Sequence, residues 1–256
     1  MGDTLLAGVG VEPVPEHVEN LRPCLNRLPN VTLVQAAMGR QEQVAPVYAL
    51  SQETYRRALE QVNPQEAGAL SRALLYLRNM SCVGQIHPAF EGHSGWLLEE
   101  YGVDVDMSPI QATVISYGGL VRHLNFSGVE VLVIDAEGND CIILRSMIRH
   151  CTAHPSEWPD IIQFETMGHC DRVEGREAEQ AILGLLGANG YVVASLGKDS
   201  QLVRLAAIES DGRVLRWTDT LWCTECGTKG LAGVPYTVTP YCVACSHCEL
   251  GVVNPG

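Results

Sequence analysis

Leu5 to Glu12 is a short, apolar, glycine-rich run, the pattern of a buried strand. Pro13 and Pro15 follow it, and Val18, Leu21, Leu25 and Leu28 then recur at helical spacing. A helix is expected there, because proline is tolerated in a first turn. Pro29-Asn30 stops that helix, and Val31 to Ala37 reads as a second strand. Strand, helix, strand in this order predicts a parallel βαβ unit.

Residues 51–80 carry a helical pattern, with Leu70, Ala73, Leu74 and Leu77 as an apolar stripe and Asn63-Pro64 as a break. Residues 81–112 show no clear period and contain Gly84, His87, Pro88, Gly92, His93 and Gly95, so an irregular stretch is expected. A loop of that length is uncommon in a compact domain unless it is functional. Regularity returns at Val129 to Asp135, a continuous apolar run ending in an acid, as a central parallel strand would be. Asn139 to Cys151 is predicted helical, with Ile143, Met147 and Ile148 on one face. Asp160 to Glu165 is a further strand with an acid at its end, and Glu174 to Ala188 a further helix closed by Gly190. Tyr191 to Leu196 and Gln201 to Ile208 read as strands joined by Gly197-Lys198-Asp199-Ser200, a hairpin signal that makes the last pair antiparallel.

The length, 256 residues, suits one α/β domain with at most a small appendage. Lysine and arginine number 17 against 30 aspartates and glutamates, a net charge of −13. Such a chain repels phosphate backbones, which argues against broad nucleic-acid binding. No run approaches the ~20 apolar residues of a membrane span. Met1 to Gly10 lacks the basic start and long apolar core of a secretory signal. The expectation is a soluble, cytoplasmic protein without membrane partners.

Five of the ten cysteines, Cys24, Cys82, Cys141, Cys151 and Cys170, are scattered, as small buried hydrophobes usually are in a reducing compartment. The other five fall between Cys223 and Cys248. The shift in density near Trp217 divides a domain over residues 1–216 from a cysteine-rich tail over 217–256. Cys223-x-x-Cys226 and Cys242-x-x-Cys245 are fifteen residues apart, the spacing of a four-cysteine zinc ribbon. Four thiolates would fill a tetrahedral zinc without water, so such a site would be structural and its folding would depend on the metal. Cys248 is then a spare, and His247 an alternative ligand. A redox-active dithiol and a disordered tail are the competing readings. A folded tail would offer a docking site for a protein partner.

Glu12, Asp135 and Glu165 each close a predicted strand, and Glu137 follows in Asp135-Ala136-Glu137-Gly138. Open α/β sheets bind ligands at the carboxyl ends of their strands. An acid after an early strand can accept hydrogen bonds from two ribose hydroxyls. The plainer role for any one of these acids is a helix cap or a solvated side chain.

Four segments resemble the FkbM family of S-adenosylmethionine-dependent methyltransferases. They are Val9-Gly10-Val11-Glu12-Pro13-Val14-Pro15, Asn30 to Gly39 with Ala36-Ala37-Met38-Gly39 at its end, Val131 to Gly138, and Pro159 to Glu165. Together with the closing hairpin they cover roughly residues 5–208, and Asp135-Ala136-Glu137-Gly138 is the most specific of them. The resemblance implies an α/β, Rossmann-like class I methyltransferase sheet, mostly parallel, with an antiparallel last strand. The family's first strand and glycine-rich loop precede its acidic strand. Here both are missing from the expected pattern, so the domain is expected to be N-terminally truncated.

The implied activity is O-methylation of a small-molecule or sugar-like hydroxyl. By that resemblance Glu12 and Pro13 would meet the cofactor ribose, and Ala36 and Ala37 would line the adenine pocket. Asp135 and Glu137 would face the donor methyl and the acceptor, as a general base or as ligands of a divalent metal. Glu165 would hydrogen-bond the acceptor. His123, on a short predicted helix, is a candidate base with a surface role as its alternative, and His87 and His93 suit either an acceptor lid or a solvated loop. Two other functions compete. A dinucleotide or nucleotide-sugar enzyme would use the same strand-end acid, but no G-x-G-x-x-G lies near Glu12. A catalytically inactive interaction protein with a zinc-binding tail would need no cofactor loop.

Overall fold

The computed structural model describes residues 7–25, 28, 30–60, 67–79, 81–86, 90–195 and 199–205. His87 and the whole tail over 217–256, with Cys223, Cys226, Cys242 and Cys245, lie outside the described residues. The chain divides into two compact units. One is formed by the residues up to His123 with Ala136–Met147, the other by Leu124–Asp135 with the residues from Ile148 onward.

In the first unit, β1 (Gly8–Val11), α1 (Pro15–Leu25) and β2 (Val31–Val34) make the βαβ unit that the hydrophobic pattern predicts. β1 and β2 run parallel, from Gly8 beside Val31 to Val11 beside Val34. Pro15 takes the first helical position, where its missing N–H has no helical partner to lose. Val14 and Val18 are buried beneath the helix start.

β3 (Ala37–Met38), β4 (Gln43–Leu50), α2 (Gln52–Glu60), α3 (Ala67–Asn79), β5 (Cys82–Val83), α4 (Phe90–Tyr101), β6 (Met107–Ile115) and α5 (Tyr117–Leu124) follow. Their strands form a second sheet in the order β3-β6-β4-β5. Its spine is the antiparallel ladder of β4 and β6, from Gln43 opposite Val114 to Leu50 opposite Met107. Gly39, just after β3, donates its N–H to the Ile115 carbonyl at 2.9 Å. A Cβ there would come within 2.5 Å of Val114 Cγ1, so the approach to β6 needs glycine.

The stripe on α3 is real: Leu70, Leu74 and Leu77 are fully buried in one cluster with Leu50, Leu97 and Met107. Burial contributes about 2 kcal/mol per leucine. That anchors α3, whose opposite side exposes Leu75 and Tyr76. α5 is capped by Ser116, whose Oγ accepts the Gly119 N–H at 3.0 Å.

β7 (Val131–Ile134) belongs to the second unit, and α6 (Asp140–Ala153) follows it. A 3₁₀ turn at Pro155–Glu157 leads to β8 (Ile161–Glu165), α7 (His169–Glu174), α8 (Ala178–Ala188), β9 (Tyr191–Ser195) and β10 (Asp199–Arg204). The sheet order is β7-β8-β10-β9. β7 and β8 are parallel, while β10 is antiparallel to both β8 and β9. The predicted closing hairpin is therefore present. Gly190, at φ +85°, ends α8 and turns the chain into β9. β8 is central and buried on both faces, which explains its nearly unbroken apolar sequence.

The architecture is α/β with mixed sheets. Three strand pairs are parallel and four antiparallel among the described residues, where the sequence predicts a mostly parallel sheet. The difference lies largely in β4, β5 and β6, which the hydrophobic pattern does not reveal. Among the described residues no helix is long and apolar enough to cross a membrane.

Candidate functional site

Two of the predicted strand-end acids are brought together by the second unit's sheet. Ile134 and Phe164 pair across the parallel β7–β8 ladder, and the next residue along each strand is Asp135 or Glu165. Two carboxylates thus close adjacent parallel strands at the edge where α/β sheets take ligands. Asp135 is exposed; Glu165 is buried. Asp199, at the start of β10, stands opposite Glu165 on its other side.

Glu165 does not stand alone. His169 Nδ1 lies 2.9 Å from Glu165 Oε2, and both side chains are less than a tenth exposed. The turn between them makes this possible. Gly168 adopts φ +77°, a left-handed conformation that glycine takes without strain, and reverses the chain so that α7 starts over the strand end. A second acid stands beside this turn: Glu179, from α8, lies near the N–H groups of Gly168 and Cys170, which favour its charged form. Burial raises the Glu179 pKa above the ordinary carboxylate value, and the neighbouring Asp171 charge adds to the rise. Those two N–H donors and the His169 charge oppose it. Asp171 Oδ1 in turn accepts the Glu179 N–H at 3.0 Å.

The remaining candidates sit in the first unit. Glu12 follows β1, and its N–H donates to the Val34 carbonyl at 3.1 Å. Its Oε1 accepts the Val14 N–H at 2.8 Å and lies 3.3 Å from His17 Nδ1. This acid therefore also tethers the start of α1, the capping role that competes with ribose binding. Among the described residues no hydrogen bond reaches its Oε2, so one carboxylate oxygen fits the acceptor that a ribose hydroxyl requires. Pro13 is half-buried beside it. Ala36 is buried, with its N–H on the Val34 carbonyl. Ala37 lies in β3 and packs with Ala45, Val47, Ala112 and Val114.

Glu137 and Gly138 form the turn before α6 and both have positive φ, +49° and +95°. Holding a glutamate in that region costs about 1–2 kcal/mol. The turn is secured by Asp140, whose Oδ2 accepts the Gly138 N–H at 3.1 Å, and by buried Asn139, whose Nδ2 lies 3.5 Å from Cys82 Sγ. Burial raises the Cys82 thiol pKa, and the Glu137 charge pushes the same way.

His123 is exposed on α5, and His93 lies in α4 with its ring 5.0 Å from that of Tyr76. The sequence pattern singles out neither His169 nor Glu179. A histidine four residues after a strand-end acid is the available signal for His169; nothing in the spacing signals Glu179. Compared with protein-family models, curated proteins and solved structures, the chain finds no match.

Proposed function

We propose that this chain is an S-adenosylmethionine-dependent O-methyltransferase acting on a small-molecule or sugar-like hydroxyl. The observation that carries the reading is the pair of acids, Asp135 and Glu165, at the ends of the adjacent parallel strands β7 and β8. The antiparallel β9–β10 hairpin beside them and the acid-terminated βαβ unit of β1, α1 and β2 agree with it.

In this reading Glu12 accepts a ribose hydroxyl, with Pro13 beside it, and Ala36 and Ala37 border the adenine. Asp135 and Glu137 act at the acceptor oxygen. A divalent metal at Asp135 is part of the proposal, as is structural zinc on Cys223, Cys226, Cys242 and Cys245.

The test is methyl transfer from labelled donor to a panel of hydroxylated acceptors, with Asp135→Ala beside the parent protein. Asp135 is exposed, so its loss should leave the fold intact, which circular dichroism checks. The reading expects transfer by the parent and none by the variant. Equal turnover by both would remove Asp135 from the mechanism. A folded parent that methylates nothing and binds no cofactor would favour a non-catalytic interaction protein.

A further inference from the structure

We propose that the outer edge of β7 docks an extended, apolar peptide strand from another protein, one that carries a basic residue beside Glu130. The inference stands on the second unit alone and does not depend on the methyl-transfer reading.

β7 ends the sheet order β7-β8-β10-β9, so among the described residues β8 is its one strand partner. In a parallel ladder, alternate residues of a strand bond to the neighbouring strand. The Ile161 N–H donates to the Glu130 carbonyl at 3.0 Å, and Val131 to Ile134 run level with Ile161 to Phe164. Glu130, Leu132 and Ile134 therefore turn their backbone groups to β8. The N–H and C=O groups of Val131 and Val133 turn to the open edge, which makes a template for one more strand.

The side chains agree with the backbone. Val131-Leu132-Val133-Ile134 carries no charge, no proline and, in its pairing with β8, no bulge. Those are the devices that normally guard an edge. Parallel strands are usually covered on both faces, yet Val133 is 61% exposed. An added strand would bond to the backbone of Val131 and Val133 and shield Val133 with its own apolar side chains.

Charge selects the occupant. Glu130 and Asp135, both exposed, bracket β7. A second copy of this chain fits poorly. Paired antiparallel, two β7 strands bring Glu130 of each copy against Asp135 of the other; paired parallel, each acid meets its own counterpart. The net charge of −13 adds to that repulsion. A strand with lysine or arginine beside Glu130 is attracted instead.

The probe is a capped seven-residue peptide of alternating valine and threonine with lysine at both ends, added to the ¹⁵N-labelled full chain. Amide hydrogen exchange is read residue by residue. Leu132 and Ile134, bonded to β8, should exchange slowly throughout. Val131 and Val133 should exchange fast in the chain alone and slow by about tenfold or more with the peptide. The same peptide ended in glutamate should bind about tenfold or more weakly, and Glu130→Lys should diminish that preference while circular dichroism stays unchanged.

Val131 and Val133 amides already slow in the chain alone would mean that the edge is filled by this chain or by a second copy, and would overturn the proposal. So would exchange that the lysine-ended peptide leaves unchanged, or equal binding of the glutamate-ended peptide.

Discussion

Glu157 Oε2 lies 2.6 Å from His150 Nε2, and the backbone of the same glutamate is gripped from two other sides. The Cys151 thiol donates to the Glu157 carbonyl at 3.3 Å. Gly128, at φ +99°, packs so tightly that a Cβ there would reach Glu157 Cα at 3.0 Å. The 3₁₀ turn before β8 is thereby tied to the last turn of α6 and to the approach to β7. Removing the carboxylate in Glu157→Ala should cost about 2 kcal/mol, the scale of a largely buried hydrogen bond to a charged group. Urea denaturation of variant and parent gives the difference. A midpoint unchanged at equal slope would show that the pair contributes nothing net.

Two glycines in the second unit should respond to alanine in opposite directions. Gly128→Ala meets both a left-handed backbone and the Glu157 backbone, so a loss of about 1–3 kcal/mol is expected. Gly184 is an exposed position inside α8 where a Cβ would meet nothing within 4 Å, and alanine there should stabilise by about 0.5–1 kcal/mol. Thermal unfolding of the two variants checks the sign. A stabilising Gly128→Ala would contradict the close approach.

Cysteine reactivity should follow burial. Cys24 is exposed, whereas Cys82, Cys141, Cys151 and Cys170 are buried. Burial, with the Glu157 charge adding to it, pushes the Cys151 thiol up to about 12, although Arg204 opposes the shift. Brief alkylation of the native protein followed by peptide mass spectrometry should label Cys24 well ahead of those four. Fast labelling of Cys151 would contradict its environment. The stability consequence has a definite sign. A thiol that holds its proton more tightly when folded gives stability that is complete below its ordinary value of 9.0 and declines as pH rises toward about 12. Cys151→Ser should flatten that alkaline decline.

Much of the fold is legible in the sequence wherever period and punctuation agree. The βαβ unit of β1, α1 and β2, the stripe on α3, the β7–α6–β8 succession and the β9–β10 hairpin all follow from apolar spacing and from Pro15, Asn30 and Gly190. β4 and β6 are hidden because Pro46 and Pro109 interrupt them, and proline within a run argues against a strand. In the ladder Pro46 stands opposite Gln111 and Pro109 opposite Tyr48. α4 is hidden because Gly92 and Gly95 lie inside it, and because Trp96 and Leu98 are exposed while Phe90 and Leu97 are buried.

The candidate site is legible only in part. Asp135 and Glu165 are visible as acids after apolar runs, and the parallel register makes them neighbours. His169 is not, because its approach to Glu165 depends on the positive φ of Gly168, a backbone choice that no periodicity reports. The same region hides a helix boundary. Where one helix from Glu174 is expected, Gly175 and Glu177, both at positive φ, separate α7 from α8.

The most direct measurement of the central claim is calorimetric titration of S-adenosylhomocysteine into the folded chain, with Glu12→Gln in parallel. The substituted side chain keeps a carbonyl oxygen for the Val14 N–H, so the start of α1 is spared while one carboxylate oxygen is lost. A methyltransferase of this type should bind with micromolar affinity, and the variant should bind about tenfold or more weakly. No heat of binding to a demonstrably folded chain, or equal affinity in the variant, would contradict the account.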